Sequence, residues 1–127
     1  MKSKETKKKA SFTLLEILIV TTIIALLVSG AVVSYSQFSK QARDSRRKTD
    51  LENIRASLEM YRSNVNIYPA SLDSLVPDYI ISIPKDPKTA VSYSSGYTQL
   101  LSGSSYSLSW ALEGGGSYTV GPYGSSP

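Results

Sequence analysis

Residues 12–33 read Phe12-Thr-Leu-Leu-Glu16-Ile-Leu-Ile-Val20-Thr-Thr-Ile-Ile-Ala25-Leu-Leu-Val-Ser-Gly30-Ala-Val-Val33, an apolar run broken by Glu16, three Thr, one Ser and Gly30. At 1.5 Å per residue these 22 positions reach about 33 Å as a helix, enough to cross a hydrocarbon core of about 30 Å. Nothing in residues 34–64 stops that helix, because the first Pro is Pro69 and no Gly occurs between Gly30 and Gly96. The sequence therefore predicts one continuous helix from about Phe12 to about Asn64, roughly 80 Å long. More than half of it stands outside any bilayer.

The apolar stripe moves round this helix. Tyr35, Phe38 and Ala42 recur at spacings of three and four, as do Leu51, Ile54, Leu58, Tyr61 and Val65. At 100° per residue the second set lies roughly 145° from the first. Two faces imply two partners. The later face is placed to hold the chain's own C-terminal region, whereas the earlier one needs lipid or another protein.

Beyond the helix, residues 66–88 hold four Pro and read as a loop, a short helical turn near Ser71–Val76, and an extended arm ending at Pro84 and Pro87. The tail from Ala90 is rich in Ser, Gly and Tyr. Tyr106, Leu108, Trp110 and Leu112 alternate with small residues, the pattern of a half-buried strand. Gly114-Gly115-Gly116 reads as a turn into a second strand at Tyr118–Val120, and Gly96–Leu101 as a third. The expected fold is α+β, with a small antiparallel sheet packed on the Leu51–Val65 face. Four regions follow: a leader at 1–11, a membrane or filament-core half-helix at 12–33, an amphipathic half-helix at 34–64, and a globular head at 65–127.

The chain of 127 residues, room for one small domain, carries a net charge of +4, all of it in residues 1–11. From Phe12 onward nine basic residues balance nine acidic ones. With no Cys and no His, thiol nucleophiles, disulfides, zinc fingers and His-based acid/base chemistry are excluded. The basic run Arg43–Lys48 contains Asp44 and is followed by Asp50 and Glu52. Arg46–Asp50, Lys48–Glu52 and Arg55–Glu59 stand at i,i+4, which favours a solvated or inter-subunit ion-pair face over a nucleic-acid surface. Among the nine Tyr, Tyr106 and Tyr118 sit in strand patterns and Tyr61 on the helix stripe, which favours core packing over a carbohydrate- or base-stacking surface. The many Ser offer no G-x-S-x-G motif, and a Ser–Lys dyad through Lys85 or Lys88 has no further support. Gly114–Gly116 has no Lys or helix start after it, so it is no phosphate loop.

Glu16 is the most informative residue. A carboxylate inside an apolar run costs about 2.5–3.5 kcal/mol on insertion scales, so it requires a partner or a reason. An interfacial Glu snorkelling to headgroups is one reading, although Glu16 has apolar neighbours on both sides. The other starts from spacing. Cleavage before Phe12 creates an α-amino group four residues, one helical turn, upstream, and that amine can neutralise Glu16 within one chain or between subunits. A rival for the whole N-terminus is an ordinary signal peptide cut after Ser29-Gly30-Ala31, which would release a secreted binding module beginning at Val32. An uncut signal anchor on a bitopic protein is the other. Basic residues on both sides of the span nearly tie, and Lys7-Lys8-Lys9, nearest the membrane, favour a cytoplasmic N-terminus.

The stretch Lys7-Lys-Lys-Ala-Ser11, Phe12-Thr-Leu-Leu-Glu16-Ile-Leu-Ile-Val20 resembles the class III signal of type IV prepilins and type II secretion pseudopilins. The resemblance implies that a membrane-embedded prepilin peptidase cuts between Ser11 and Phe12 and N-methylates Phe12. It also implies that Glu16 pairs with the Phe12 amine of a neighbouring subunit. Residues 66–88 look like the segment after the long helix in major pseudopilins.

The function implied is a non-enzymatic filament subunit, most like a type II secretion pseudopilin that polymerises to drive protein export. A type IV pilin for adhesion, motility or DNA uptake is the alternative. Implied partners are further copies of the chain, an assembly ATPase, a polytopic platform protein, minor pilins or pseudopilins, and membrane lipid before assembly. The implied location is the cytoplasmic (inner) membrane, single-pass, with an extracytoplasmic head, and then a periplasmic or cell-surface filament.

Three departures stand out. Ser11 replaces the usual Gly before the cut. Ala25 and Val33 stand where relatives often carry helix-loosening Gly or Pro, which shifts any melting toward Gly30. Finally, major pseudopilins often bind calcium in an Asp-rich C-terminal loop, whereas Glu113-Gly-Gly-Gly-Ser-Tyr118 offers one carboxylate, so no metal or other cofactor is expected.

Overall fold

The computed structural model describes residues 12–127, so the leader at 1–11, with Ser11, lies outside the described residues. One helix, α1, runs Leu14–Val65, two residues inside the expected start and one beyond the expected end. It stops at Asn66, whose φ of 66° is left-handed and whose N–H closes on the Arg62 carbonyl at 2.7 Å. Asn tolerates that conformation better than most residues and ends a helix much as Gly does. The chain divides into two compact units, Met1–Gln37 and Phe38–Pro127. In the first, the described residues are helical after Thr13, and the large apolar side chains from Leu14 to Val28 are exposed.

The second unit combines the rest of α1 with a four-stranded antiparallel meander. Its strands are β1 (Tyr97–Leu100), β2 (Ser105–Ala111), β3 (Ser117–Gly121) and β4 (Gly124–Ser126), in sequential order. The register pairs Leu108 with Tyr97 on one side and Val120 on the other. Leu51, Ile54 and Leu58 are fully buried against Tyr68, Leu72, Leu75, Tyr93, Tyr106, Leu108 and Val120. Each large apolar side chain so buried contributes about 1.5–3 kcal/mol, which makes this face the main bond between helix and head.

The expected stripe is shorter than its spacing suggests. Tyr61 is half-buried and Val65 is 44% exposed. Beyond Tyr61 the last turn of α1 is exposed, and buried Tyr68 meets the helix through Glu59 and Arg62. Its hydroxyl donates to Glu59 at 2.9 Å and accepts from Arg62 at 3.0 Å, with the Arg62 guanidinium 4.9 Å from its ring centre.

Alternation in β2 is as read: Tyr106 and Leu108 are buried and Trp110 half-buried. Their rings meet edge to face, Tyr106 with Tyr68 at 4.6 Å and Trp110 with Tyr93 at 4.8 Å. Core packing thus accounts for seven of the nine Tyr, with Tyr35 and Tyr123 left exposed. Gly96 is obligatory just before β1, since a Cβ there would collide with the Ser109 carbonyl and lie 3.2 Å from the Trp110 ring. The fourth strand was not legible in sequence. Gly124-Ser-Ser126 has no side-chain alternation, and only its pairing with β3 defines it. The helical turn at 71–76 is a single 3-10 turn, Leu72–Leu75, capped by the Ser71 hydroxyl. The arm ends where expected: Lys85 pairs with Ser92, and the chain turns just past Asp86, whose carboxylate accepts from the Lys88 and Thr89 backbone N–H groups.

Candidate processing and assembly site

Phe12, 76% exposed, precedes the first turn of α1. Thr13 caps that turn by accepting the Glu16 N–H on its hydroxyl at 3.2 Å, and Thr-x-x-Glu is the spacing of a capping box. Around it Leu14, Leu15, Ile17, Leu18 and Ile19 are all exposed. The hydroxyls of this segment are spent inside the helix. Thr21 donates to the Ile17 and Leu18 carbonyls at 3.0 Å, Thr22 to Leu18 at 2.7 Å and Ser29 to Ala25 at 2.8 Å. Such back-bonding leaves them no unmet donor in an apolar setting.

Glu16 is the one ionisable residue between positions 12 and 33, and no cation among the described residues meets its carboxylate. The helix is long and apolar enough by length and composition to cross a membrane. Of the residues singled out in the sequence, Glu16 lies in the first turn of α1 and Phe12 lies outside the helix, just before the capping Thr13.

A second group of charges ties the head to α1, and here the reading of Arg43–Lys48 as a solvated face is corrected. Arg47 is 3% exposed and Asp86 likewise. The Arg47 guanidinium donates to Asp86 and, at 2.7 Å, to Asp44. Asp86 also accepts from the Trp110 indole N–H at 3.0 Å. Arg43 forks onto both Glu113 oxygens at 2.6 and 2.9 Å, and Lys88 adds a third donor at 3.0 Å. None of the expected i,i+4 ion pairs forms. Arg55 pairs instead with Glu52 at i,i+3, Lys48 lies 5.4 Å from the Tyr118 ring centre, and Glu59 accepts from Tyr68. The missed signal was spacing: Arg47, Leu51, Ile54 and Leu58 follow one another by four, three and four, so Arg47 continues the buried stripe.

The electrostatics follow from these contacts. The Arg47 hydrogen bond holds the Asp86 carboxyl far below the usual carboxylate range against the opposing effect of burial. Arg43, with Lys88, lowers Glu113 to about 2. Burial pushes the Asp44 carboxyl up, yet the N–H groups of Glu113 and Gly114, together with Arg47, leave it net lowered. A carboxylate lowered on folding stabilises the head above its unfolded pKa, and that stability is lost as pH falls through the folded value. Acid titration followed by Trp110 fluorescence should therefore show destabilisation setting in below about pH 4.5 and continuing down to about pH 2.

Comparison with known proteins gives the same placement. Residues 6–32 match the model of the prokaryotic N-terminal methylation motif. Type II secretion system core protein G of Vibrio cholerae is 26% identical over 98 residues, 77% of this chain and 66% of the relative. The Escherichia coli core protein G is 29% identical over 99 residues, 77% of this chain and 67% of the relative. The chain thus matches about two thirds of the length of these relatives. No solved structure matches significantly. With the methylation motif over residues 6–32, 26–29% identity to core protein G over 77% of its length, and a long helix joined to an antiparallel meander, the chain is similar to the type II secretion pseudopilins.

Proposed function

We propose that this chain is a structural, non-enzymatic subunit of a type IV pilus-like filament, a major pseudopilin of the type II secretion kind. Glu16 carries the reading: a carboxylate that no cation among the described residues meets, in an exposed apolar helix, four residues from the one that prepilin-type cleavage makes the N-terminus. Cutting between Ser11 and Phe12 supplies the missing cation. Before assembly the 12–33 segment holds the subunit in the cytoplasmic membrane, and after extraction it packs with other copies. A prepilin peptidase, an assembly ATPase, a platform membrane protein and minor pseudopilins are the partners this role requires.

A feature of the second unit supports self-association. Phe38, Ala42, Ser45, Thr49, Asn53, Ala56 and Met60 follow one another at spacings of three and four, and all are exposed. They form an uncharged face in a stretch otherwise dense with Arg, Lys, Asp and Glu. A helix face left to water normally carries charge. Small side chains here let a second helix approach to about 8–10 Å.

Intact-mass measurement of protein extracted from native membranes tests the proposal. The expected mass lacks residues 1–11 and carries one added methyl group on Phe12. Full-length, unmethylated protein in assembled fibres would sink it.

A further inference from the structure

The turn between β2 and β3 contains Glu113 and three glycines, and Gly115 and Gly116 sit at φ of 102° and 79°. Within the turn, the Leu112 N–H donates to the Gly116 carbonyl and the Gly115 N–H to the Leu112 carbonyl. Its attachment to α1 is ionic. Asp44 accepts the Glu113 N–H at 2.9 Å and the Gly114 N–H at 2.8 Å on its two oxygens, while Arg43 and Lys88 grip the Glu113 carboxylate.

The family resemblance raises calcium for a loop in this place, and the residues present do not fit it. Calcium takes six to eight oxygens at about 2.3–2.6 Å, drawn from several carboxylates and carbonyls around one point. Here every oxygen of Asp44, Asp86 and Glu113 already accepts from an Arg, Lys, Trp, Thr or backbone donor. Arg43, Arg47 and Lys88 match the three carboxylates charge for charge. Among the described residues no three acidic or other metal-ligating side chains converge. A divalent ion would have to displace a cation and reorganise the turn.

We propose that the network of Arg43, Asp44, Arg47, Lys88 and Glu113 fastens the β2–β3 turn to α1 in place of a metal ion, so that the head folds and keeps this turn closed without calcium. Asp44 holds the backbone of the turn, Arg43 and Lys88 hold its side chain, and Arg47 sets Asp44 while itself anchored on Asp86. The contrast with calcium rests on the family reading, whereas the network rests on the contacts alone.

Thermal melting of the full chain in detergent, followed by Trp110 fluorescence, tests it without reference to filaments, so a failure to polymerise leaves the result untouched. The wild-type midpoint should be the same in EDTA and in millimolar calcium. Arg43→Gln and Glu113→Gln should each lower it by about 4–8 °C, the shift of a modest loss in a domain of this size. The double variant should fall little below the worse single one, because both remove the same contact. Amide exchange at Glu113 and Gly114 gives the local readout, and it should quicken in Arg43→Gln even where the midpoint moves little. A rise of several degrees on adding calcium would overturn the proposal. So would unchanged exchange at Glu113 and Gly114 in Arg43→Gln, or additive losses in the double variant.

Discussion

Arg47→Met should lower the unfolding free energy of the head by about 3–5 kcal/mol, measured by urea denaturation of the full chain in detergent with Trp110 as the probe. The size follows from what is left behind. Asp86 is 3% exposed, and without the guanidinium its carboxylate remains buried with the Trp110 indole, the Thr89 hydroxyl and two backbone N–H groups as donors but no counter-ion. Asp44 loses its side-chain donor as well. Arg46→Met is the matched control: Arg46 is exposed, and a surface change of that kind moves stability by about 0.5 kcal/mol at most. Combining Arg47→Met with Asp86→Leu should cost less than the sum of the two single changes, since the stranded charge is gone. Recovery stays incomplete, because Asp86 also closes the Lys88–Thr89 bend. An Arg47→Met loss under about 1 kcal/mol would show that the contact is solvated in practice.

The second large effect is on assembly. Glu16→Ala should leave the head fold unchanged and make membrane insertion easier, by less than the roughly 2.5–3.5 kcal/mol of a charge at the centre of a span, because Glu16 lies near its end. The same change should cut filament yield by about ten-fold or more, since a contact worth about 1.4 kcal/mol is a factor of ten in each subunit addition. Glu16→Gln separates charge from shape. It keeps the length and a hydrogen-bonding amide yet cannot neutralise an ammonium, so it should assemble nearly as poorly as Glu16→Ala. Wild-type filament yield from either variant, scored by electron microscopy of sheared fibres against membrane-inserted monomer by fractionation, would remove the pairing argument.

The sites differ in how plainly the chain announces them. Glu16 stands out because a single charge among apolar residues violates transfer energetics locally, and no tertiary knowledge is needed to see it. The long helix is equally local: a run without Pro, with only Gly30 before Val65, satisfies its own backbone by i to i−4 bonds. Leu51, Ile54 and Leu58 show by their period which face is buried. The strand at Ser105–Ala111 shows itself by alternation.

Arg43 and Arg47 gave the opposite result. On a helical wheel their neighbours Asp44, Asp50 and Glu52 look like partners along the surface, yet the partners that matter, Asp86 and Glu113, are 39 and 70 residues away in sequence. Local spacing counts every nearby charge as available. Whether a charge meets water or a carboxylate from another element depends on which surface the sheet covers. Strand β4 was hidden for a related reason, since three small residues acquire strand geometry only from the hairpin that pairs Gly121 with Gly124.

The amino-acid order alone determined the helix, its apolar half, the acidic group within it and the strand that alternates. Each is fixed by interactions within a few residues or by transfer from water. Tertiary structure alone decided which cations are buried, where the helix's covered face ends, and what holds the glycine-rich turn closed. Those outcomes depend on charges and backbone groups brought together from distant parts of the chain, where desolvation must be offset by specific partners that no local pattern encodes.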